Sequence, residues 1–370
     1  MGAMGDARTF VSTPVGLSLL AEVVGLDLWD FLDQVGGSVP GIKLVSSPSD
    51  AGAPGNGHGQ PPPGPGRPAA DVVAAQVAAE AGSLLELAEC DDRAALLQAF
   101  AAVMQPGAIG TAAAPYLAAA ADSLQPAADA LAQAPATQWW WQPPDRGRQR
   151  WLGGAGQPAR GATLTAALQA QADAEAEEEE RTARDRPWPP TRDTVDSGTW
   201  WSPPLGGGVF TSTGPVGPLP AVEVGCETDG AGQERFEVWD VAISSGARIW
   251  NITGPDDWGR LVARYPRDVT ASRRHDWFRF TGRDGTWLLP DWRRAAGDWD
   301  GVHLSIAGYI SATGLAIPAG DAATVLVGWG PDQTLWLNDV FTNVDQAGSW
   351  TGTPGPDAFP EAPLPWLGPR

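Results

Sequence analysis

The 370 residues carry 44 acidic against 24 basic side chains, a formal net charge of −20, which argues against a general nucleic-acid or anionic-membrane binder, since both need a basic footprint. The length suits two domains with linkers, and 46 Gly with 35 Pro mean that part of the chain is expected to form no packed core. The basic residues are arginine apart from Lys43, and Ala, Gly and Pro abound, the coding bias of a high-GC, bacterial-type genome.

In chain order, residues 1–45 contain one amphipathic stretch. Leu17, Leu20, Val24, Leu28, Phe31 and Val35 recur at spacings of three and four, which predicts one or two short helices. Residues 46–70 are Pro- and Gly-rich with almost no large apolar side chain, and are expected to be a disordered, flexible linker containing His58. Residues 71–134 turn Ala-rich, in pieces that begin near Asp or Pro, as a small helical bundle does. Asp91 and Asp92 open one of these pieces and are read as helix-capping carboxylates rather than metal ligands.

Eighteen of the 19 tryptophans lie beyond Gln138, Trp29 being the exception. Residues 135–191 hold Trp139, Trp140, Trp141 and Trp151 interleaved with Arg146, Arg148 and Arg150, then a charged helix whose run Glu177 to Glu180 is expected to face water. Residues 192–352 are read as a Trp-rich mixed α and β domain with antiparallel hairpins, which makes the whole chain α+β. Within it, 236–243 and 247–253 alternate around Ser244-Ser245-Gly246, predicting a hairpin. Pro255 followed by Asp256 and Asp257 predicts a helix start, with Trp258, Leu261, Val262 and Tyr265 on its inner face. A second hairpin is expected over 278–289 around Asp284-Gly285, a short helix over 290–299, a strand over 300–310, and a closing strand pair from 323–330 with 334–341. Trp239, Trp250, Trp258, Trp287 and Trp336 recur among Val, Leu and Ile and are expected to be mostly core. Residues 353–370 are Pro-rich and are expected to be a disordered tail.

Chemistry has few places to sit. Cys90 and Cys226 belong to no CxxC or His-spaced pattern, and His58, His275 and His303 are the only histidines, so no metal is expected. There is no recognisable secretion leader and no run of 18 apolar residues, so cytoplasmic residence without membrane attachment is the expectation. The densest cationic stretch, Arg260 to Arg294, holds nine Arg against four Asp, with aromatics between them. Guanidinium groups bind phosphate or carboxylate bidentately and aromatics stack on bases, so Arg248, Arg273, Arg274, Trp277 and Arg279 are candidate ligand-binding residues for an anionic, nucleotide-like ligand. The same composition suits arginines paired with the domain's own carboxylates. His275, within Arg273-Arg274-His275-Asp276, is a candidate acid or base in a polar loop. Asp298, Asp300 and His303 allow an Asp-His pair, but without a G-x-S-x-G a hydrogen-bonded structural histidine is the expected role.

The segment 197–224 is Gly-rich, with Gly198 and Trp200, then Phe210-Thr211-Ser212, then Glu223. In that order it resembles a stretch of RES-type domains, relatives of the ADP-ribosyltransferases. The resemblance covers about 28 residues, and Thr199 stands where that family carries an arginine. It implies NAD as cofactor, with Ser212 positioning the nicotinamide end and Glu223 stabilising the cationic sugar.

Three functions remain open on these residues. The first is a soluble binding protein whose Trp/Arg-rich domain recognises an anionic small molecule or a partner's tail. The second is an NAD-using enzyme on the ADP-ribosyltransferase plan. The third is an assembly component with a Trp-rich interface.

Overall fold

A computed structural model of the chain describes residues 5–37, 68–104, 107–153, 160–189, 199–204, 210–226, 234–355, 358–359 and 364–367. The expected linker, apart from its last residues, lies outside them. The fold divides into two units, Met1–Gln138 with Ala362–Arg370, and Trp139–Glu361.

The first unit is helical, in keeping with its many alanines, the residue of highest helix propensity. Its helices are α1 (Arg8–Val11), α2 (Pro14–Val23), α3 (Leu28–Val35), α4 (Ala69–Ala79), α5 (Ala81–Glu89), α6 (Arg93–Met104), α7 (Gly107–Ala119) and α8 (Gln125–Gln133). At the start of α2, the Thr13 hydroxyl accepts the Gly16 N–H at 3.2 Å and Pro14 takes the first helical position, both favoured there. Leu17, Leu19, Leu20, Ala21 and Val23 are all buried, the pattern of a helix surrounded on every side, and α2 packs on α1, α6 and α7. Asp27 caps α3, and Asp92 caps α6 by accepting the Ala94 and Ala95 N–H groups at 3.0 and 3.1 Å, as its place in the sequence predicts. Helix α4 begins at Ala69, inside the span expected to be linker.

The second unit contains β1 (Gln149–Gly153), α9 (Ala162–Asp185), β2 (Phe210–Ser212), α10 (Val222–Cys226), β3 (Glu234–Ile243), β4 (Ile249–Ile252), α11 (Pro255–Arg264), β5 (Pro266–Asp268), α12 (Thr270–Thr281), β6 (Leu288–Pro290), α13 (Trp292–Asp298), β7 (Gly301–Leu304), α14 (Ile306–Ala312), β8 (Ile317–Ala319), β9 (Ala322–Thr324), β10 (Gln333–Trp336) and β11 (Phe341–Gly352). One antiparallel sheet has the order β1-β3-β11, and a second the order β2-β10-β7-β4. Two backbone hydrogen bonds between Arg150 and Thr213, 2.7 and 3.0 Å, tie β1 to the end of β2. Strands β4 and β7 run parallel, with α11, α12 and α13 in the crossover that a parallel pair requires.

The α+β class and the helical first part agree with the sequence, but several connections do not. The hairpin expected across Ser244-Ser245-Gly246 does not form, because β3 pairs with β1 and β11 while β4 leaves for the other sheet. Alternation marks a strand without choosing its partner. The hairpin expected over 278–289 is the end of α12 followed by β6. Helix α12 contains Arg273, Arg274, His275 and Asp276, which are therefore not in a loop. The strand expected over 300–310 stops at Leu304, where the Ser305 hydroxyl accepts the Gly308 N–H at 3.0 Å and starts α14. Strands β9 and β10 are not a pair: β9 forms a hairpin with β8, and β10 lies between β2 and β7.

The tail is also partly ordered. Phe359 and Trp366 are buried, at 7% and 2% exposure. Phe359 lies so close over Gly225 that a Cβ there would meet its ring at 2.7 Å.

The tryptophans form the core around the crossover. Trp258, Trp277, Trp287, Trp292 and Trp329 belong to one buried cluster with Leu261, Val262, Leu289, Val302 and Leu304. Trp258 and Trp292 each meet Trp329 nearly perpendicularly, with centroids 6.0 and 5.9 Å apart, the arrangement that the ring quadrupole favours. Trp239, Trp258, Trp287 and Trp336 are buried as expected, and Trp250 packs partly buried against the cluster. The Trp258 indole donates to the Thr324 hydroxyl at 3.1 Å. Trp258→Ala is expected to cost roughly 3–5 kcal/mol, measured as the shift in chemical unfolding of the second unit; a cost below about 1 kcal/mol would place Trp258 outside the core.

Candidate functional site

Ligand-binding candidates were expected among the arginines of 260–294, and most of these are engaged by carboxylates or aromatic rings of the same unit, although several stay exposed at the surface. Arg260 pairs with Asp257, Arg264 with Asp298 at 2.8 Å, Arg267 with Glu175, Arg279 with Asp276 at 3.2 Å and Arg293 with Asp291 at 3.4 Å. Arg283 lies over the Trp287 ring at 4.8 Å, and Arg274 lies over Trp188 at 5.4 Å. Arg294 stands exposed on α13 without an ionic partner among the described residues. Arg248 is on a different element, before β4, where its side chain and backbone hold Asp300. Burial opposes ionisation of the Asp300 carboxyl, but the hydrogen bonds from Arg248 and Asn338 hold it below its ordinary value. The Asp298 carboxyl is likewise held low by hydrogen bonds from the Tyr265 hydroxyl and Arg264.

Helix α12 carries Arg273, Arg274, His275, Trp277 and Arg279. Its first turn is held by Glu179 of α9, whose two carboxylate oxygens accept the Ala271 and Ser272 N–H groups at 2.6 and 2.8 Å. Such a carboxylate satisfies open N–H groups and opposes the positive end of the helix dipole. The run Glu177 to Glu180 is therefore not wholly water-facing: Glu177 and Glu180 are exposed, while Glu178 and Glu179 are engaged with Arg181, Thr182 and α12. Arg273 is 4% exposed and donates to the Trp201 carbonyl and the Ser272 hydroxyl. Burial pulls its guanidinium down to about 10, against the pull of Glu175. Trp277 is buried and donates to the Trp200 carbonyl at 2.8 Å. In this geometry these residues fasten α12 in place.

His275 is 1% exposed. Its Nε2 lies 3.2 Å from the Pro187 carbonyl, and its Nδ1 is buried without a hydrogen-bond partner among the described residues. Burial first, and Arg274 with it, pushes the imidazole below its ordinary value, although the Pro187 carbonyl acts the other way.

Ser212 and Glu223 are linked through Thr213, whose hydroxyl accepts the Glu223 N–H at 3.4 Å. Ser212 is fully buried. Its hydroxyl donates to the Gln149 amide oxygen at 2.9 Å and accepts the Trp336 indole N–H at 2.8 Å. Glu223, on the short helix α10, accepts from the Gln333 amide at 3.5 Å.

Ser212 is one end of a polar row that sequence reasoning did not assemble. In register across β2, β10, β7 and β4 stand Ser212, Thr334, His303 and Asn251. Adjacent register positions share a sheet face, and the opposite face carries Ile252, Val302, Leu304 and Leu335 of the tryptophan cluster. His303 is fully buried, with Nδ1 2.6 Å from the Asn251 amide oxygen and Nε2 3.3 Å from Asp332. Asp332 accepts the Gly214 N–H at 2.9 Å, from a backbone at φ +55°. The row is satisfied internally except at the Thr334 hydroxyl, which has no partner among the described residues.

Beyond Gly214 the surface opens. A groove of about 340 Å³ is lined by Gly147, Arg148, Arg150, Pro215, Asp240 and Asn343 among others. Arg146, two residues before Arg148, donates to the Ser244, Ser245 and Ala247 carbonyls and so fixes the entry to β1. Arg150 pairs with Asp240. The Arg148 guanidinium is exposed and has no ionic partner among the described residues. The alternating Arg146, Arg148 and Arg150 were visible in the sequence, but the denser stretch further on drew the assignment.

Among the described residues no group of three or more His, Cys, Asp or Glu side chains could hold a metal, and no helix is long and apolar enough to cross a membrane. Comparison with protein-family models, with curated proteins and with solved structures finds no match for this chain.

The environment of His275 has a measurable consequence. Because its ring is harder to protonate folded than unfolded, the proton binds the unfolded chain first. Its contribution to stability is intact above the ordinary value near 6.5 and shrinks as pH falls below it. An NMR titration is expected to give His275 a midpoint below 6.5; a midpoint at or above that value would contradict the placement.

Proposed function

We propose that the chain is a binding protein whose second unit recognises an anionic group, borne by a small molecule or by an acidic segment of a partner, at the groove beside β1. The observation that carries this reading is the contrast between two sets of arginines. Most of those in 260–294 lie on internal carboxylates or tryptophan rings. Arg148 stands at a groove with no ionic partner among the described residues, next to Arg150. A guanidinium so placed offers a planar pair of N–H donors, which matches carboxylate or phosphate oxygens.

Asp240 competes for Arg150, so Arg148 is the residue on which an arriving anion would depend. Such a contact is solvent-exposed, and screening by salt weakens it. The probes are inorganic phosphate, a nucleoside monophosphate and a short acidic peptide, each titrated at low ionic strength and followed by backbone NMR. The expected result is saturable shifts at Gly147 to Arg150 and at Asn343, with affinity lowered about tenfold, or 1.4 kcal/mol, in Arg148→Ala. Absence of any saturable shift there, or binding abolished by Arg274→Ala and untouched by Arg148→Ala, would overturn the reading.

A further inference from the structure

The last described stretch of the chain, Leu364 to Leu367, belongs to the first unit. It forms a single turn, closed by the Leu367 N–H donating to the Leu364 carbonyl at 3.0 Å. Its sequence is Pro363-Leu364-Pro365-Trp366-Leu367. Trp366 is 2% exposed, and its indole N–H donates to the Val23 carbonyl at 3.1 Å, across 343 positions of sequence.

Val23 is the last residue of α2. The final carbonyls of a helix have no partner inside it and must find one elsewhere. The next carbonyl, that of Val24, is satisfied by the Gln76 side-chain amide at 2.8 Å. The Val23 carbonyl is satisfied by Trp366. The end of α2 therefore presents an acceptor amid buried Leu20, Val23 and Val24, a setting that suits an aromatic ring with one N–H donor.

We propose that this place is a recognition site for a short linear motif, a tryptophan flanked by proline and leucine, which the chain's own C-terminal segment fills and which the same motif on a second polypeptide can enter. The chemistry is that of peptide recognition. One large, rigid aromatic anchor supplies most of the contact, and the neighbouring prolines reduce the entropy lost on docking. The segment belongs to the first unit but follows the whole of the second in sequence, so it meets the site as a tethered ligand. Tethering supplies an effective concentration of millimolar order, enough to fill a site whose affinity for the free peptide is on the order of 100 µM. The proposal involves none of the groove residues.

The test uses the full-length Trp366→Ala chain and a synthetic peptide of residues 361–370, with fluorescence anisotropy as readout. The peptide is expected to bind the variant saturably and to bind the wild-type chain, whose site is filled, at least tenfold more weakly. The same peptide carrying Trp366→Ala should not bind either chain. A chain ending at Phe359 serves as a second receptor, with circular dichroism to verify its fold. Binding by either folded receptor supports the site. If a folded variant ignores the peptide, if wild type binds it as well as the variant does, or if both variants unfold, Trp366 is an ordinary core residue and the proposal fails.

Discussion

A guanidinium carried into an apolar core must bring its counter-charge with it, because an unpaired buried charge costs more than almost any contact returns. That constraint organises the second unit. The cluster around Trp258, Trp277 and Trp287 is walled by α11, α12 and α13, and these helices are rich in arginine. Helix α9 brings the matching carboxylates: Glu175 reaches Arg267, with side chains only 10% and 18% exposed, and Glu179 closes the first turn of α12. Once α12 is fixed, Trp277 reaches the Trp200 carbonyl and Arg273 reaches that of Trp201, which ties down the chain before β2. The acidic helix and the basic stretch are two halves of one packing arrangement.

The consequence for function is a division of labour among arginines. Those that hold the crossover together have their charges largely neutralised by neighbours. The side of the unit where β1 meets β2 is built differently. There Asn251 pairs with His303 and Ser212 with Gln149 at the junction of the two sheets, the Thr334 hydroxyl between them having no partner among the described residues. Arg146 pins the turn between β3 and β4 by its carbonyls. Buried hydrogen-bonded networks of this kind rigidify what they support. The groove with Arg148 opens on that rigid base.

What the sequence made legible follows the range of the forces involved. Helix α11 could be read from Pro255, the following acidic pair and the spacing of Trp258, Leu261, Val262 and Tyr265, because all of these act within three turns. The cap at Asp92 and the burial of most named tryptophans were legible for the same reason. Helix α12 was not. Its first turn is capped by Glu179, 92 residues earlier than Ala271, and Arg273 lies on its buried side, so local amphipathicity pointed elsewhere. The partners of β3 and β4 depend on which sheet each joins, and nothing within either strand encodes that. At the candidate site, Arg148 was noticed as part of an aromatic-arginine stretch, but its freedom could be seen only after the partners of the other arginines were known. The Trp366 contact was hidden by a proline-rich composition that argued for disorder.

The central claim is that the acidic helix and the arginine stretch stabilise each other as structure. A double-mutant cycle on Glu175 and Arg267 tests it most directly, with Glu175→Gln, Arg267→Gln and the pair compared by chemical unfolding of the whole chain. The account predicts a favourable coupling of about 1–3 kcal/mol, with the double change costing less than the sum of the two single changes by that amount. A coupling within about 0.5 kcal/mol of zero would contradict it, and would release those charges for a role in binding.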